Sequence, residues 1–132
     1  MQLRQGEAEF QSGKATVKEF TVQGKDSKEM LANLEGVLYL TNYRLFMERE
    51  VPSGEPRVIF EFPLEALQNA ETKGVFGKTL NCEADLSEMH TGLKEKRPQL
   101  KKGFAKFSVK IHDVQTWAGQ LSKAIKDRKE EM

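Results

Sequence analysis

The sequence predicts an α+β, mainly β, fold: a partly open barrel of about seven antiparallel strands, capped by a C-terminal amphipathic helix. Apolar and polar residues alternate at a spacing of two in several short runs, and turn-forming residues separate these runs. A helical spacing of apolar residues begins only near the C-terminal end. The chain has 132 residues, the length of one ordinary domain, so we expect residues 1–132 to fold as a single unit.

The alternating runs define the predicted strands. They lie at residues 15–22, 37–41, 44–47, 57–62, 80–86 and 105–111. In the first strand, Phe20 is expected to share a face with Lys18. The second and third strands form the clearest hairpin, because Asn42 between them tolerates a positive φ. In the last strand, Ser108 is expected to face outward between two lysines, and the apolar face is formed by Ala105, Phe107, Val109 and Ile111.

The last strand leads directly into the predicted helix, residues 113–128. We expect Asp113 to cap its first turn, with the carboxylate accepting a hydrogen bond from a backbone N–H group two or three residues later. Apolar residues then recur at steps of 3, 4 and 4, as on one face of an amphipathic helix: Val114, Trp117, Leu121 and Ile125. This face needs an apolar surface to cover, so Trp117 is predicted to plug the open end of the barrel.

Charge is unevenly distributed along the chain. Residues 1–93 carry a net charge of −5 and residues 94–132 a net charge of +6, within a total of +1. Residues 87–103 lack periodicity and are rich in lysine, so we predict a long basic loop that attracts phosphates. The commoner explanation for such a pattern is a solvated loop and helix face. Nucleic-acid binding is not favoured, because most aromatic residues fit the core.

No combination of side chains indicates catalysis or metal binding. His90 falls in the basic loop and His112 at the strand–helix junction, where surface or capping roles are typical. Cys82 is the single cysteine and falls on the buried face of a strand, so we expect no disulfide or zinc cluster. We therefore predict no enzymatic activity, no cofactor and no metal. The absence of a long apolar run or signal peptide favours a cytoplasmic protein, peripheral at membranes in the lipid-binding alternative described below.

One loop suggests an alternative function in lipid binding. Gly77-Lys78-Thr79 matches the end of a phosphate-binding P-loop, but Thr72 stands where the pattern needs its first Gly, and a strand follows instead of a helix. Val75 and Phe76 lie between two lysines, an arrangement that suits insertion into lipid headgroups. The residues of this lipid-binding hypothesis are Lys73, Phe76, Lys78, Lys94, Lys96, Arg97, Lys101 and Lys102.

Three segments resemble the GRAM and GLUE branches of the pleckstrin-homology superfold. Residues 36–46, Gly-Val-Leu-Tyr-Leu-Thr-Asn-Tyr-Arg-Leu-Phe, are similar to the family pattern of Gly, an apolar strand, Leu-Thr, two variable residues and Arg-Leu-aromatic. Residues 62–67 resemble the apolar-Pro-Leu step that follows it, and residues 74–78 resemble the Gly-rich loop of GLUE domains. The resemblance covers about residues 7–126 and implies a recognition module that performs no chemistry.

The resemblance also implies a class of partners. Members of the superfold bind phosphoinositides, ubiquitin or other proteins, and GLUE domains belong to the ESCRT-II machinery of membrane remodelling. Arg44 matches the family Arg, and its position after a turn favours fixing the hairpin by hydrogen bonds over holding a ligand. The first hairpin lacks a strong lipid-binding signature, because Asp26 and Glu29 accompany its two lysines.

Our leading hypothesis from the sequence is a non-enzymatic, GRAM/GLUE-like adaptor that binds ubiquitin, a ubiquitin-like protein or another protein in membrane trafficking, alone or within a longer protein. We expect binding through the outer face of the C-terminal helix and the adjoining strand edge, and the expected binding residues on the helix are Gln115, Gln120, Lys123, Lys126 and Asp127. The alternative is a peripheral membrane module that binds phosphoinositide or other anionic lipid headgroups. An exposed apolar patch beside the helix would favour protein, whereas Phe76 exposed among lysines would favour lipid.

Overall fold

The computed structural model describes residues 3–23, 28–29, 33–50, 54, 56–73, 79–85 and 104–131. These residues form eight strands, a short 3-10 helix and one α-helix. The strands are β1 Glu9–Gln23, β2 Lys28–Glu29, β3 Glu35–Thr41, β4 Arg44–Arg49, β5 Arg57–Pro63, β6 Leu67–Lys73, β7 Thr79–Asp85 and β8 Phe104–Ile111. The 3-10 helix is Leu64–Ala66 and the α-helix, α1, is Val114–Glu130.

Seven strands form one antiparallel sheet in the order β5-β4-β3-β1-β8-β7-β6, and β2 pairs with β1 beside this path. The long β1 serves both halves of the sheet, because it pairs with β3 as far as Thr16 and with β8 from Ala15 onward. The sheet curls at this shared strand into a half-barrel whose two end strands are β5 and β6. The predicted pleckstrin-homology-like architecture, a partly open barrel with a C-terminal helix, is therefore confirmed.

A β-bulge in β1 changes which residues face the core. Val17 pairs with Val109 and Glu19 pairs with Ser108, so Lys18 is an extra residue on β1. Val17 and Phe20 are both fully buried, while Lys18 is exposed. The predicted shared face of Phe20 and Lys18 is wrong, because the bulge shifts the alternation by one residue.

The core is built around a cluster of aromatic rings. The Phe107 ring lies 5.5 Å from that of Phe20, 5.0 Å from that of Phe60 and 5.5 Å from that of Phe62, measured between centroids. The predicted apolar face of β8 is buried along its length, as Phe107 illustrates. Ser108 is buried too, contrary to expectation, because it lies in the middle of the sheet between Glu19 and Asn81.

Helix α1 covers one end of the half-barrel as predicted. Trp117 is 1% exposed and Leu121 is fully buried. The helix packs against the 3-10 helix, β6 and β7. Its far end is held by an ion pair between Arg128 Nε and Glu65 Oε2 at 3.3 Å. The apolar stripe therefore packs on the sheet, and the opposite side of the helix is exposed to solvent.

The start of α1 differs from the prediction. Asp113 is the N-cap residue, but its side chain makes no capping hydrogen bond. Its backbone lies in the left-handed region at φ 57° and ψ 45°, whereas a side chain that caps a helix usually belongs to a residue in the β region. The expectation that its carboxylate caps the first turn is therefore wrong. The Asp113 carbonyl oxygen does accept the first helical hydrogen bond, from Trp117 N at 3.1 Å.

Gly36 in β3 is required by the close approach of β4. A Cβ atom at this position would collide with the backbone carbonyl oxygen of Glu48. We expect Gly36→Ala to lower the free energy of unfolding by about 1 to 3 kcal/mol, because the β4 backbone would have to move. Urea unfolding monitored by circular dichroism measures this change.

Gly119 provides the matched control for this prediction. It lies on the exposed side of α1, and a Cβ atom there would meet nothing within 4 Å. Gly119→Ala should therefore raise the free energy of unfolding by about 0.5 to 1 kcal/mol through better helix propensity. Equal stability of the two variants would contradict the packing described for β3 and β4.

Candidate functional site

The exposed side of α1 presents the residues that the sequence predicts for protein binding. Because the apolar stripe points toward the sheet, the residues between its members point away from it. All five predicted residues are exposed. We call them the outer helix face, and they are Gln115, Gln120, Lys123, Lys126 and Asp127.

The chemistry of the outer helix face is polar. It combines two amides, two ammonium groups and one carboxylate, so it offers both donors and acceptors of hydrogen bonds. The large apolar side chains that are exposed in the described part of the chain belong to Leu3, Phe10 and Phe104. None of them belongs to α1, so the helix presents no large apolar side chain to a partner, and the exposed apolar patch that would favour protein binding is not part of it.

The predicted lipid-binding residues cannot be placed in one arrangement. Lys73 is the last residue of β6. The other residues of that hypothesis lie outside the described residues: Phe76, Lys78, Lys94, Lys96, Arg97, Lys101 and Lys102.

A buried ion cluster on the outer side of the sheet contains Arg44. Its Nε donates to Glu7 Oε2 at 2.8 Å, and its Nη2 donates to Glu7 Oε1 at 3.1 Å. Its Nη1 donates to Glu61 Oε1 on the neighbouring strand β5. The Arg44 side chain is 9% exposed and that of Glu7 is fully buried. These contacts connect the β3–β4 hairpin with β5 and the N-terminal segment. Arg44 therefore fixes the hairpin by hydrogen bonds, the role that the sequence favours.

Two further contacts complete the cluster. Arg4 Nη2 donates to Glu61 Oε2 at 2.8 Å, which gives the cluster two guanidinium groups and two carboxylates. The guanidinium carbon of Arg44 lies 4.0 Å from the centroid of the Phe46 ring, within the range of a cation–π interaction. The charges are balanced internally, so the cluster has no vacant cation for an anionic ligand.

Hydrogen bonds lower the pKa of Glu7. Burial alone raises the pKa of this carboxyl, but hydrogen bonds from Arg44, from the Thr41 hydroxyl and from the Arg4 backbone N–H outweigh it. The Thr41 Oγ1 donates to Glu7 Oε2 at 2.6 Å. The pKa therefore lies below its ordinary value of 4.5.

This shift predicts an acid-sensitive contribution to stability. Because the folded-state pKa of Glu7 lies below 4.5, the contribution is complete above about pH 4.5 and is lost as the pH falls through the folded value. We expect the urea midpoint to decrease as the pH falls below this point, and Glu7→Gln to lose that part of the dependence. Parallel pH profiles for the parent and Glu7→Gln would contradict this assignment.

The N-terminal segment is also fastened to the hairpin turn. The Asn42 side chain accepts from Ala8 N at 2.7 Å and donates to the Gly6 carbonyl at 3.0 Å. Gly6 has φ +78°, and a Cβ atom there would approach the Tyr43 hydroxyl to 2.6 Å. The sequence prediction missed this segment and the partners of Arg44. The one local signal was Glu61, an acidic residue inside an otherwise apolar run of β5.

Cys82 and His112 are the cysteine and the histidine that the structure describes. Burial raises the pKa of Cys82 to about 12, so the thiol stays protonated at neutral pH. His112 is exposed, with Nε2 3.7 Å from Asp113 Oδ2. Within the same residues, no group of three His, Cys, Asp or Glu side chains could hold a metal ion.

A surface cavity of about 1020 Å³ lies beside the start of α1 and is bordered by residues of β1, β3, β4 and the end of β8. Both signs of charge border it, so it has no preference for an anion or a cation. The charged residues on its border are Lys14, Glu35, Glu48, Arg49, Glu50, Lys110 and Asp113.

The described helix is not long and apolar enough to cross a membrane. No protein-family model matches the chain, and no curated protein matches it. The fold and the exposed side of α1 are the observations on which a function has to rest.

Proposed function

We propose that this domain is a non-enzymatic, GRAM/GLUE-like recognition module that binds ubiquitin or a ubiquitin-like protein through the outer helix face. The setting we propose is membrane trafficking of the ESCRT type. The observation that carries the proposal is that the apolar stripe of α1 is docked while all five residues of the outer helix face are exposed. The choice of ubiquitin rests on the resemblance of residues 36–46 and 62–67 to that family.

The helix is well suited to recognition because contacts along its length hold it on the sheet. Trp117 anchors its first part in the core. The Ser122 hydroxyl donates to the Ala70 carbonyl oxygen on β6 at 3.2 Å, and Arg128 pairs with Glu65 near the other end. A surface that is already ordered loses less conformational entropy on binding. Binding through this polar face therefore involves little loss of conformational entropy in the helix.

The polar chemistry of this face sets the expected strength of binding. Amide and charged side chains exchange their hydrogen bonds to water for hydrogen bonds to the partner, and bridging waters remain at the rim. The face lacks the buried aromatic anchors that dominate tight interfaces. We therefore expect a weak complex, with a dissociation constant in the high micromolar to millimolar range.

Two described groups that could carry chemistry are occupied within the fold. The Cys82 thiol is buried and protonated, and Arg44 is occupied by the carboxylates of Glu7 and Glu61. Binding of anionic lipid headgroups is the competing hypothesis from the sequence. We include it as an outcome of the experiment below, because the described residues add no observation in its favour.

A charge-reversal experiment tests the proposal. We expect Lys123→Glu to weaken ubiquitin binding about threefold to tenfold, since it changes one exposed charge on the outer helix face. Lys18→Glu is the matched control, because Lys18 is equally exposed but lies on β1. Binding constants from NMR titrations of both variants and the parent provide the comparison.

Two results would count against the proposal. Equal weakening by Lys123→Glu and Lys18→Glu would indicate that general electrostatic attraction, and not the outer helix face, is responsible. Absence of ubiquitin binding by the parent, together with cosedimentation with anionic vesicles that decreases at high salt, would replace the proposal with lipid binding.

A further inference from the structure

The first half of β1 has one edge that pairs with no other described strand. Residues 9–14 pair with β3 on one side, whereas the pairing with β8 on the other side begins only at Ala15. Among the described residues, the backbone along this open edge is therefore unpaired and can accept another strand. Phe10 lies on it with 50% of its surface exposed. Exposed edges that carry a large apolar side chain are typical sites for the addition of a strand.

The charged residues on this edge share one face of the sheet. On β3, Thr41, Tyr39 and Val37 alternate and so point to the same side. Their partners on β1 are Glu9, Ser12 and Lys14, respectively. Glu9 joins this face despite its odd spacing, because the pairing shifts between Glu9 and Gln11 and makes Phe10 an extra residue. All three partners on β1 are exposed.

This pattern is complementary to itself when the strand is reversed. In an antiparallel pair with two-fold symmetry, a residue at the axis faces its own copy, and residues on either side face each other. Because Phe10 is an extra residue, Glu9 and Lys14 are equally far from Ser12 in the pairing. With Ser12 at the axis, Lys14 of one copy therefore faces Glu9 of the other, and the same contact occurs twice. Gln11 then faces Gly13, and both lie on the opposite face of the strand from these three residues.

From this complementarity we propose that two copies of the chain associate through the open edge of β1, in an antiparallel register centred on Ser12. The two half-barrels are joined by backbone hydrogen bonds between residues 9–14 of each copy. The paired charges of Glu9 and Lys14 fix the register, because a shift by two residues separates them. Phe10 loses part of its exposure to water in the pair, which adds an apolar contribution. This association does not depend on ubiquitin binding by the outer helix face.

Sedimentation equilibrium of the full chain, from micromolar to millimolar concentration, tests the proposal. The parent should form dimers. Glu9→Lys and Lys14→Glu should each weaken dimerisation about tenfold, because each places like charges opposite each other at two symmetric positions. Both side chains are exposed, so at a concentration at which the parent and both variants are monomeric, all three should melt at the same temperature, which serves as the folding control.

An equimolar mixture of the two single variants is the most specific test. In the mixed pair, one copy carries two positive charges and the other two negative charges at positions 9 and 14, so attraction returns at both contacts. The mixture should therefore dimerise as strongly as the parent. A parent that stays monomeric at millimolar concentration would overturn the proposal. So would single variants that dimerise like the parent, or a mixture that stays monomeric.

Discussion

Replacing Trp117 with Ala should destabilise the fold by about 3 to 5 kcal/mol, as for other buried aromatic side chains that are truncated to Ala. Trp117 is 1% exposed and closes the end of the half-barrel. Its ring reaches β1, where it would lie 3.9 Å from a Cβ atom placed on Gly13. Truncation would therefore leave a cavity between the helix and the sheet. Urea unfolding monitored by circular dichroism would measure the loss.

Gln115→Ala is the control for this prediction. Gln115 lies two residues earlier on the same helix, but its side chain is exposed. The control should change the free energy of unfolding by no more than about 0.5 kcal/mol. An unfolding midpoint for Trp117→Ala equal to that of the parent would mean that Trp117 does not plug the barrel.

Replacing Arg44 with Met should cost a similar amount, about 3 to 5 kcal/mol, although it changes no apolar contact in the centre of the core. The substitution would leave the fully buried Glu7 carboxylate without its guanidinium partner, and Glu61 without one of its two. An unpaired charge in such a position is more costly than the ion pair is favourable. Arg49→Met, at an exposed position of the same strand, should be close to neutral.

A double substitution separates charge from packing in this cluster. If the cost arises from the unpaired carboxylate, Arg44→Met combined with Glu7→Gln should be more stable than Arg44→Met alone at neutral pH. If the losses in free energy of unfolding of the two single variants add up in the double variant, the stability comes from packing of Arg44 against Phe46 and not from charge.

The sequence predicts a strand or helix most accurately where its apolar pattern is local and repeats over several residues. The apolar alternation of residues 105–111 and the helical stripe through Trp117 each extend over several residues, so β8 and α1 are confirmed within one or two residues at their ends. β6 was missed because Gln68 and Glu71 interrupt its apolar residues. The pairing of β6 with β7 also shifts between Leu67 and Asn69, which makes Gln68 an extra residue and breaks the alternation at the start of the strand.

The candidate surface could be predicted only in part. The outer helix face follows from helical geometry once the apolar stripe is known, and all its residues are exposed as expected. The ion cluster depends on contacts between distant parts of the chain, since Arg44 lies 37 residues from Glu7 and 17 from Glu61. The bulge at Lys18 likewise depends on how β1 and β8 pair. Patterns of side-chain type along the sequence do not contain that information.

The most direct measurement of the central claim is an NMR titration of the isotope-labelled domain with unlabelled ubiquitin. The claim predicts amide shifts that saturate with a weak dissociation constant and concentrate at the outer helix face and its neighbours on α1. Residues of β4, such as Arg49, should remain unchanged. No shifts at millimolar ubiquitin, or shifts confined to the sheet with α1 unaffected, would contradict recognition through this helix.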